Sequence, residues 1–191
     1  MILFKDLVRK NRSYRRFDAS KSVSSEDLTD IINTARLTPS AANLQPIRYW
    51  VTNKKEENDK VFSTLKWAGY LPEWDGPEEK EQPTAYIILL FDNAMKKFSF
   101  DEGIVAQTIT LAAVEKGYGC CILQNCNSKR LFELLGIDAD KYTFSSVIAI
   151  GIPVETVVIE EIKDGNVKYY RNKQGVHYVP KRTLDEIILH R

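Results

Sequence analysis

The stretch DEGIVAQTITLAAVEKGYG, residues 101–119, decides the fold predicted for this chain. Ser99 and Glu102 form a capping-box pattern, so a helix is predicted to begin here. From residue 104 to residue 114, apolar side chains occupy nearly every side of that helix. A helix that is apolar all round has to be buried all round. In a chain of 191 residues this predicts a central helix, with a subunit interface as the economical cover for its second face.

Buried strands are predicted on either side of this helix along the chain. Residues 85–91 read AYIILLF, an apolar run without alternation that is typical of a central strand covered on both faces. Residues 145–151 form a second such run. The remaining predicted elements are helices over 2–10, from Ser24 to before Pro39, and over 55–70, 128–136 and 183–190, a strand over Ile47–Thr52, and a hairpin of 157–162 with 167–170.

The order of these elements and the composition define the class of protein. Helices and strands mix without regular βαβ alternation, which predicts an α+β fold, and the length favours a single domain over residues 1–191. The net charge of +1 offers no broad basic surface for nucleic acid. No apolar run approaches the roughly 20 residues of a membrane span, and the start lacks signal-peptide features, so a cytoplasmic protein is predicted. Three cysteines, two of them adjacent, favour neither a disulfide framework nor a metal site.

A basic segment, NRSYRRF at residues 11–17, follows the first predicted helix. If it is extended, alternate residues from Asn11 to Phe17 share one face, and the residues between them share the other. Guanidinium groups match phosphate oxygens, and a serine hydroxyl fits between two of them. The segment is therefore either a phosphate cradle or a solvated basic loop with Phe17 in the core.

A polar segment, TPSAANLQP at residues 38–46, leads from a helix end into a strand. It places two hydroxyls and two amides between two prolines. Uncharged donors and acceptors on a stiffened loop suit a ligand with hydroxyl groups and a polar ring edge. The alternative is an ordinary loop of turn-forming residues that stops the helix.

Taken together, these segments resemble the nitroreductase family of FMN enzymes. The resemblance continues through residues 101–107, 111–119 and 149–153 and through the pair Lys181-Arg182, so it covers nearly the whole chain. Three positions depart from the family pattern. Asn11 stands where arginine is frequent, Ile47 where tryptophan often follows Gln-Pro, and Gln124-Asn125 where several members have Glu-Gly.

The resemblance implies a mixed, mostly antiparallel sheet flanked by helices, in a homodimer with FMN sites at the subunit interface. It also implies that four groups of residues bind FMN. The phosphate and ribityl chain would be held by Arg12, Ser13 and Arg15, with Asn11 beside them, and Lys181 and Arg182 would close on the phosphate. The flavin of the neighbouring subunit would be reached by Pro39, Ser40, Ala41 and Asn43. A segment of Ile122, Leu123 and Gln124 would run along the flavin, with the Gln124 backbone N–H directed at N5.

The resemblance further implies the reaction. NADH or NADPH would deliver a hydride to flavin N5, and a nitroaromatic, quinone or similar electron-poor acceptor would then be reduced in the same pocket by ping-pong kinetics. No catalytic side chain is required. Lys66 and Trp67 are expected in the substrate pocket, although Trp67 also fits ordinary packing against the core. The alternatives are a flavin-storing or flavin-sensing protein on the same fold, another FMN reaction, and a module that binds a different phosphorylated ligand.

Overall fold

A four-stranded antiparallel sheet forms the centre of the computed structural model, which describes residues 3–98 and 100–190. Its strands are β1 (Ile47–Thr52), β2 (Ala85–Asp92), β3 (Gly119–Leu123) and β4 (Tyr142–Gly151). They lie in the order β1-β2-β4-β3, so the two apolar runs are the central strands and β3 is an edge. The buried strands predicted over 85–91 and 145–151 are confirmed, and so are the bounds of β1.

Helices cover both faces of this sheet: α2 (Ser25–Ala35) and α4 (Asp101–Glu115) on one, and α3 (Lys55–Phe62) and α5 (Ser128–Leu135) on the other. Two further helices, α1 (Phe4–Lys10) and α6 (Leu184–Ile187), contain no buried residue. Alternate residues of β2 enter two cores: Ile87 and Leu89 pack with α2 and α4, whereas Ile88 and Leu90 pack with α3 and α5. Each fully buried side chain of this size contributes about 1.5–3 kcal/mol. The α+β class and the antiparallel sheet with flanking helices are thus confirmed.

Helix α4 is buried on one side and open on the other within the described chain. Val105, Ile109 and Ala113 lie in the core, whereas Ile104 is 37% exposed and Gln107 is exposed. Ser99, half of the capping box predicted for this helix, lies outside the described residues. The other half, Glu102, accepts a hydrogen bond from Ser145 Oγ at 2.6 Å.

Two predicted helix ends are confirmed and two are wrong. The Ser24 side chain caps α2 by accepting from the Asp27 N–H, and Gly136 ends α5 with a φ of 69°. The helix predicted over 55–70 ends at Phe62, because the following backbone pairs with a distant segment: Lys66 N donates to Asn125 O at 2.9 Å. The last helix covers only Leu184–Ile187 of the predicted 183–190.

A second, three-stranded sheet follows the first. Its strands are β5 (Val157–Glu161), β6 (Tyr170–Arg171) and β7 (His177–Lys181), in the order β5-β7-β6, with β5 parallel to β7. The predicted hairpin is wrong in its pairing, although Asp164 and Gly165 do form a left-handed turn. Strand β7 lies between the two predicted partners, and stacking of Tyr170 on Tyr178 at 5.0 Å supports that register. No helix in the described ranges is both long and apolar enough to cross a membrane.

Candidate functional site at the edge of the sheet

The basic segment 11–17 runs along the free edge of β3. Ser13 forms a parallel bridge with Cys120, and Tyr14 N donates to Cys120 O at 2.9 Å. Further along, Phe17 is fully buried and pairs with Pro153. The buried ring and the edge bonds hold the segment against β3, with Arg15 and Phe17 buried and Ser13 exposed. The Ser13 side chain is exposed at this edge and makes no hydrogen bond within the described residues.

Asn11 and Arg12 connect this segment to two helices. Asn11 Nδ2 donates to Thr110 Oγ1 of α4 at 2.8 Å, and Arg12 Nη2 donates to Val8 O of α1 at 2.8 Å. The Arg12 side chain is half-buried, and this burial lowers the pKa of its guanidinium from the ordinary value. These two contacts fix the residues that directly precede Ser13, and the Arg12 guanidinium is the positive charge of this pair.

Arg15 differs from its neighbours because its guanidinium is locked inside the protein. The residue is 9% exposed, and Nη1 lies 3.2 Å from Ser13 O and 3.3 Å from His177 Nε2. The guanidinium carbon lies 4.7 Å from the centre of the Tyr169 ring. The Arg15 backbone N–H donates to Glu155 Oε1, and Glu155 also pairs with Arg171 at 3.2 Å.

The third guanidinium, that of Arg16, forms a two-point ion pair with Glu81 at 2.7 and 2.6 Å. The three arginines therefore point to three different places. Arg15 and Arg16 are held by protein partners, and Phe17 lies in the core. Ser13 and Arg12 lie beside the outer edge of β3, and a phosphate cradle in this segment stays a prediction.

His177 is the partner of Arg15 that sequence reasoning missed. It is 1% exposed, and burial together with the charges of Arg15 and Arg171 lowers its pKa to about 4. The imidazole is therefore neutral near pH 7, so Nε2 can accept from Arg15. No sequence signal links positions that lie 162 residues apart.

In the polar loop, residues 39–46, the Ser40 hydroxyl and several backbone N–H groups form hydrogen bonds within the chain. Ser40 Oγ donates to Asp101 Oδ2 at 2.7 Å, and Ala41 N donates to Asp101 Oδ1 at 3.1 Å. Gln45 N closes the loop by donating to Ser40 Oγ at 2.9 Å. Of the residues implied to bind FMN here, Asn43 is exposed, and its Oδ1 accepts from Gln45 Nε2 at 3.2 Å.

The end of β3 continues the edge that starts at Ser13. Ile122 is 43% exposed, Leu123 is buried and Gln124 is exposed, so the side chains point alternately outward and into the core. In the described chain no strand pairs with this edge. Lys66 reaches this place because its backbone N–H is bound to Asn125 O, and its side chain is exposed.

Trp67 is 7% exposed and packs in the second core. Its ring lies 5.9 Å from that of Phe62, and a Cβ at Gly76 would stand 2.7 Å from Trp67 Cδ1. These contacts match the packing alternative, and the assignment of Trp67 to the substrate pocket stays a prediction.

Lys181 and Arg182 lie at the end of β7. Lys181 pairs in register with Glu161, and Nη1 of Arg182, which precedes α6, lies 3.3 Å from Glu186 Oε1 of that helix. Among the described residues, no hydrogen bond or ion pair joins either of them to segment 11–15. They share the second sheet with His177, which contacts Arg15.

These contacts define an α+β protein in which Arg12, Ser13, the end of β3 and Lys66 follow one another along one sheet edge. Residues 8–152 match the sequence model of the Nitroreductase family, so the chain belongs to that family, as the resemblance indicated.

Relatives and solved structures agree with this assignment. A Bacillus subtilis (strain 168) protein described as a candidate NAD(P)H nitroreductase, YdgI, is 23% identical over 182 aligned positions, covering 78% of this chain and 87% of that protein. A candidate nitroreductase from Desulfovibrio desulfuricans, solved in complex with FMN, has a TM-score of 0.72 at 20% identity and covers 100% of this chain and 98% of its own. An FMN-dependent nitroreductase from Clostridium difficile R20291 has a TM-score of 0.63 at 25% identity, over 84% and 90% of the two chains.

Proposed function

We propose that this protein is an FMN-dependent oxidoreductase that uses NADH or NADPH to reduce nitroaromatic, quinone or similar electron-poor acceptors. The observation that carries the proposal is the free edge of β3, where the exposed Ser13 hydroxyl and the backbone of Ile122–Gln124 follow one another. A hydroxyl, an arginine and the backbone at the outer edge of a strand, all in line, suit a phosphate joined through a polyol to a ring. The residues present therefore fit FMN.

The residues of the chain divide the work of binding. Ser13 and Arg12 would hold the phosphate and ribityl end, and the Gln124 backbone N–H would donate to flavin N5. The exposed ammonium of Lys66 would supply positive charge at the ring. When bound, FMN supplies the two-electron chemistry by accepting a hydride and passing it to the acceptor.

Arg15 would act on this site through its field rather than by contact. Arg15 and Arg171 carry two positive charges, Glu155 carries one negative charge, and His177 is neutral, so this buried cluster has a net charge of about +1. The cluster lies behind β3, where water screens it poorly. Positive charge placed in advance stabilises negative charge that develops on a reduced ring.

We further propose a homodimer with its FMN sites at the subunit interface. The polar loop is attached at Asp101 of α4, whereas Asn11 is attached at Thr110. Asp101 and Thr110 are nine positions apart in α4, which is about 13 Å along the axis and about two and a half turns, so the two attachments lie on opposite sides of the helix. Exposed apolar side chains in α1 and at the start of α4 suit cover by a partner: Phe4, Phe100 and Ile104.

The proposed location is the cytoplasm. All three cysteines are free, and two of them are buried as thiols. Reducing compartments preserve such thiols.

The test is spectroscopic. Protein purified with added FMN should show a flavin absorbance that bleaches anaerobically with NADH or NADPH and returns on addition of a quinone or a nitroaromatic compound. Ser13→Ala should raise the FMN Kd about tenfold, as expected for a lost hydrogen bond to a charged group, while the melting temperature stays unchanged because the side chain is exposed. A dimer that binds no FMN would contradict the proposal. Tight FMN binding without NAD(P)H oxidation would instead indicate a flavin-storing or flavin-sensing protein.

A further inference from the structure

Asp101 is a buried carboxylate at the start of α4 whose contacts all lead to the polar loop. The residue is 2% exposed. Its Oδ2 accepts from Ser40 Oγ at 2.7 Å, and its Oδ1 accepts from Ala41 N at 3.1 Å. A buried charge is tolerated only when it is hydrogen-bonded, and a carboxylate at a helix N-terminus is also stabilised by the helix dipole. Asp101 is thus a rigid, satisfied anchor for residues 40 and 41.

The loop that it anchors has a backbone that needs such support. Ala42, Asn43 and Gln45 have φ values of 50°, 52° and 52°, in the left-handed region that side chains with a Cβ rarely occupy. Such conformations persist only where surrounding contacts fix them. Asp101 fixes the start of the loop directly, and it fixes the end through Ser40 Oγ, which accepts from Gln45 N.

We infer that Asp101 is a positioning residue that presents Asn43 to the flavin of the neighbouring subunit. The inference rests on the proposed function, because it assigns a task to the loop within that site. The anchor works through the loop, because both carboxylate oxygens of the buried Asp101 are bound to Ser40 and Ala41. Its removal releases the left-handed turn, so Asn43 samples many orientations and the loop has to be ordered again each time FMN binds.

Glu102 provides a matched control at the same helix end. It carries the same charge and accepts from Ser145 Oγ at 2.6 Å, but its contact leads to the sheet. Ser145 is the residue left over where the register of β2 and β4 shifts, since Leu89 pairs with Ser146 and Leu90 with Phe144. Loss of the Glu102 contact therefore affects the bulge and leaves the loop anchored.

The experiment compares Asp101→Ala, Asp101→Asn and Glu102→Ala in the FMN-reconstituted protein, with FMN Kd, kcat, KM and melting temperature measured for each. Asp101→Ala should raise the FMN Kd about tenfold or more. Glu102→Ala should leave the FMN Kd within about twofold of the wild type, although it lowers the melting temperature. Asp101→Asn should restore most of the affinity, because its amide keeps an acceptor for Ala41 N and offers a donor to Ser40 Oγ.

Each outcome separates this inference from the proposed function. Equal FMN Kd values for Asp101→Ala and Glu102→Ala, with a wild type that binds FMN and turns over, would overturn the inference alone. A wild type that binds no FMN would overturn both. If Asp101→Ala does not fold, Asp101→Ser carries the test: serine still suits a helix start but is too short to hold both loop contacts. An unchanged FMN Kd in Asp101→Ser would then overturn the inference.

Discussion

Buried, neutral His177 makes stability depend on pH in a way that can be assigned to one residue. Its pKa of about 4 in the folded protein lies below the ordinary value of 6.5, because the ring is buried and two arginines face it. Unfolding therefore takes up a proton below pH 6.5, and the stabilisation present above that pH is lost as the pH falls towards 4. Integrated between pH 7 and pH 5, this loss amounts to about 2 kcal/mol.

Urea unfolding followed by tryptophan fluorescence measures this quantity. The chain has only two histidines, and His190 is exposed, so the two can be replaced in turn. His177→Gln should remove about 2 kcal/mol from the difference in unfolding free energy between pH 7 and pH 5. His190→Gln should leave the wild-type pH dependence unchanged. His177→Gln is also less stable at pH 7, so the comparison uses the slope against pH rather than the absolute value.

The reasoning fails if the wild type and His177→Gln lose the same stability between pH 7 and pH 5. It also fails if the pH dependence follows His190. Carboxylates titrate mainly below this window, so they contribute equally to all three proteins.

Two further predictions concern the contacts that hold segment 11–17 in place. In Gly151→Ala the new Cβ would lie 3.0–3.1 Å from Phe17 atoms, and this crowding should lower the free energy of unfolding, measured by heat or urea, by about 1–3 kcal/mol. The control is Gly69→Ala, which has no heavy atom within 4 Å of the new Cβ and should be as stable as the wild type. Equal stabilities of the two variants would contradict the packing of Phe17 on Gly151. In Glu155→Gln the Arg171 cation loses its buried counter-ion, and the Arg15 backbone N–H is left with a neutral acceptor. The free energy of unfolding should therefore fall by about 3–5 kcal/mol. Glu161→Gln on the exposed end of β5 serves as the control, and a comparable loss there would show that the cluster is not the cause.

The parts of the fold that the sequence predicts are those fixed by local pattern. The run of residues 85–91 is apolar at every position because both faces of β2 are covered, and that pattern is legible without any partner. The cap at Ser24 and the left-handed Gly136 are equally local. By contrast, the helix predicted to continue to Tyr70 stops at Phe62 because residues 64–66 bond to residues 125–127. Nothing near Phe62 in the sequence signals that competition.

The candidate site follows the same division. Its segments could be located from the sequence, since Ser13, Asn43 and Gln124 sit in recognisable motifs. The direction of each side chain could not, because it depends on distant partners. Ser40 looks like a free ligand-binding hydroxyl until Asp101, 61 residues later, is seen to hold it.

Arg15 shows how much of a motif's geometry lies outside the motif itself. A guanidinium in a basic motif suggests direct contact with phosphate, yet this one is enclosed by Tyr169, His177 and the Ser13 carbonyl. Its field still reaches the site edge: Arg15 lowers the pKa of Cys121, against the burial and the Glu155 charge that raise it to about 11. Cys121 directly precedes the exposed end of β3. Salt screens the field of an exposed arginine over a distance of about 10 Å, whereas it screens the field of a buried arginine much less. On the function proposed above, burial would make Arg15 a fixed source of positive potential behind this edge.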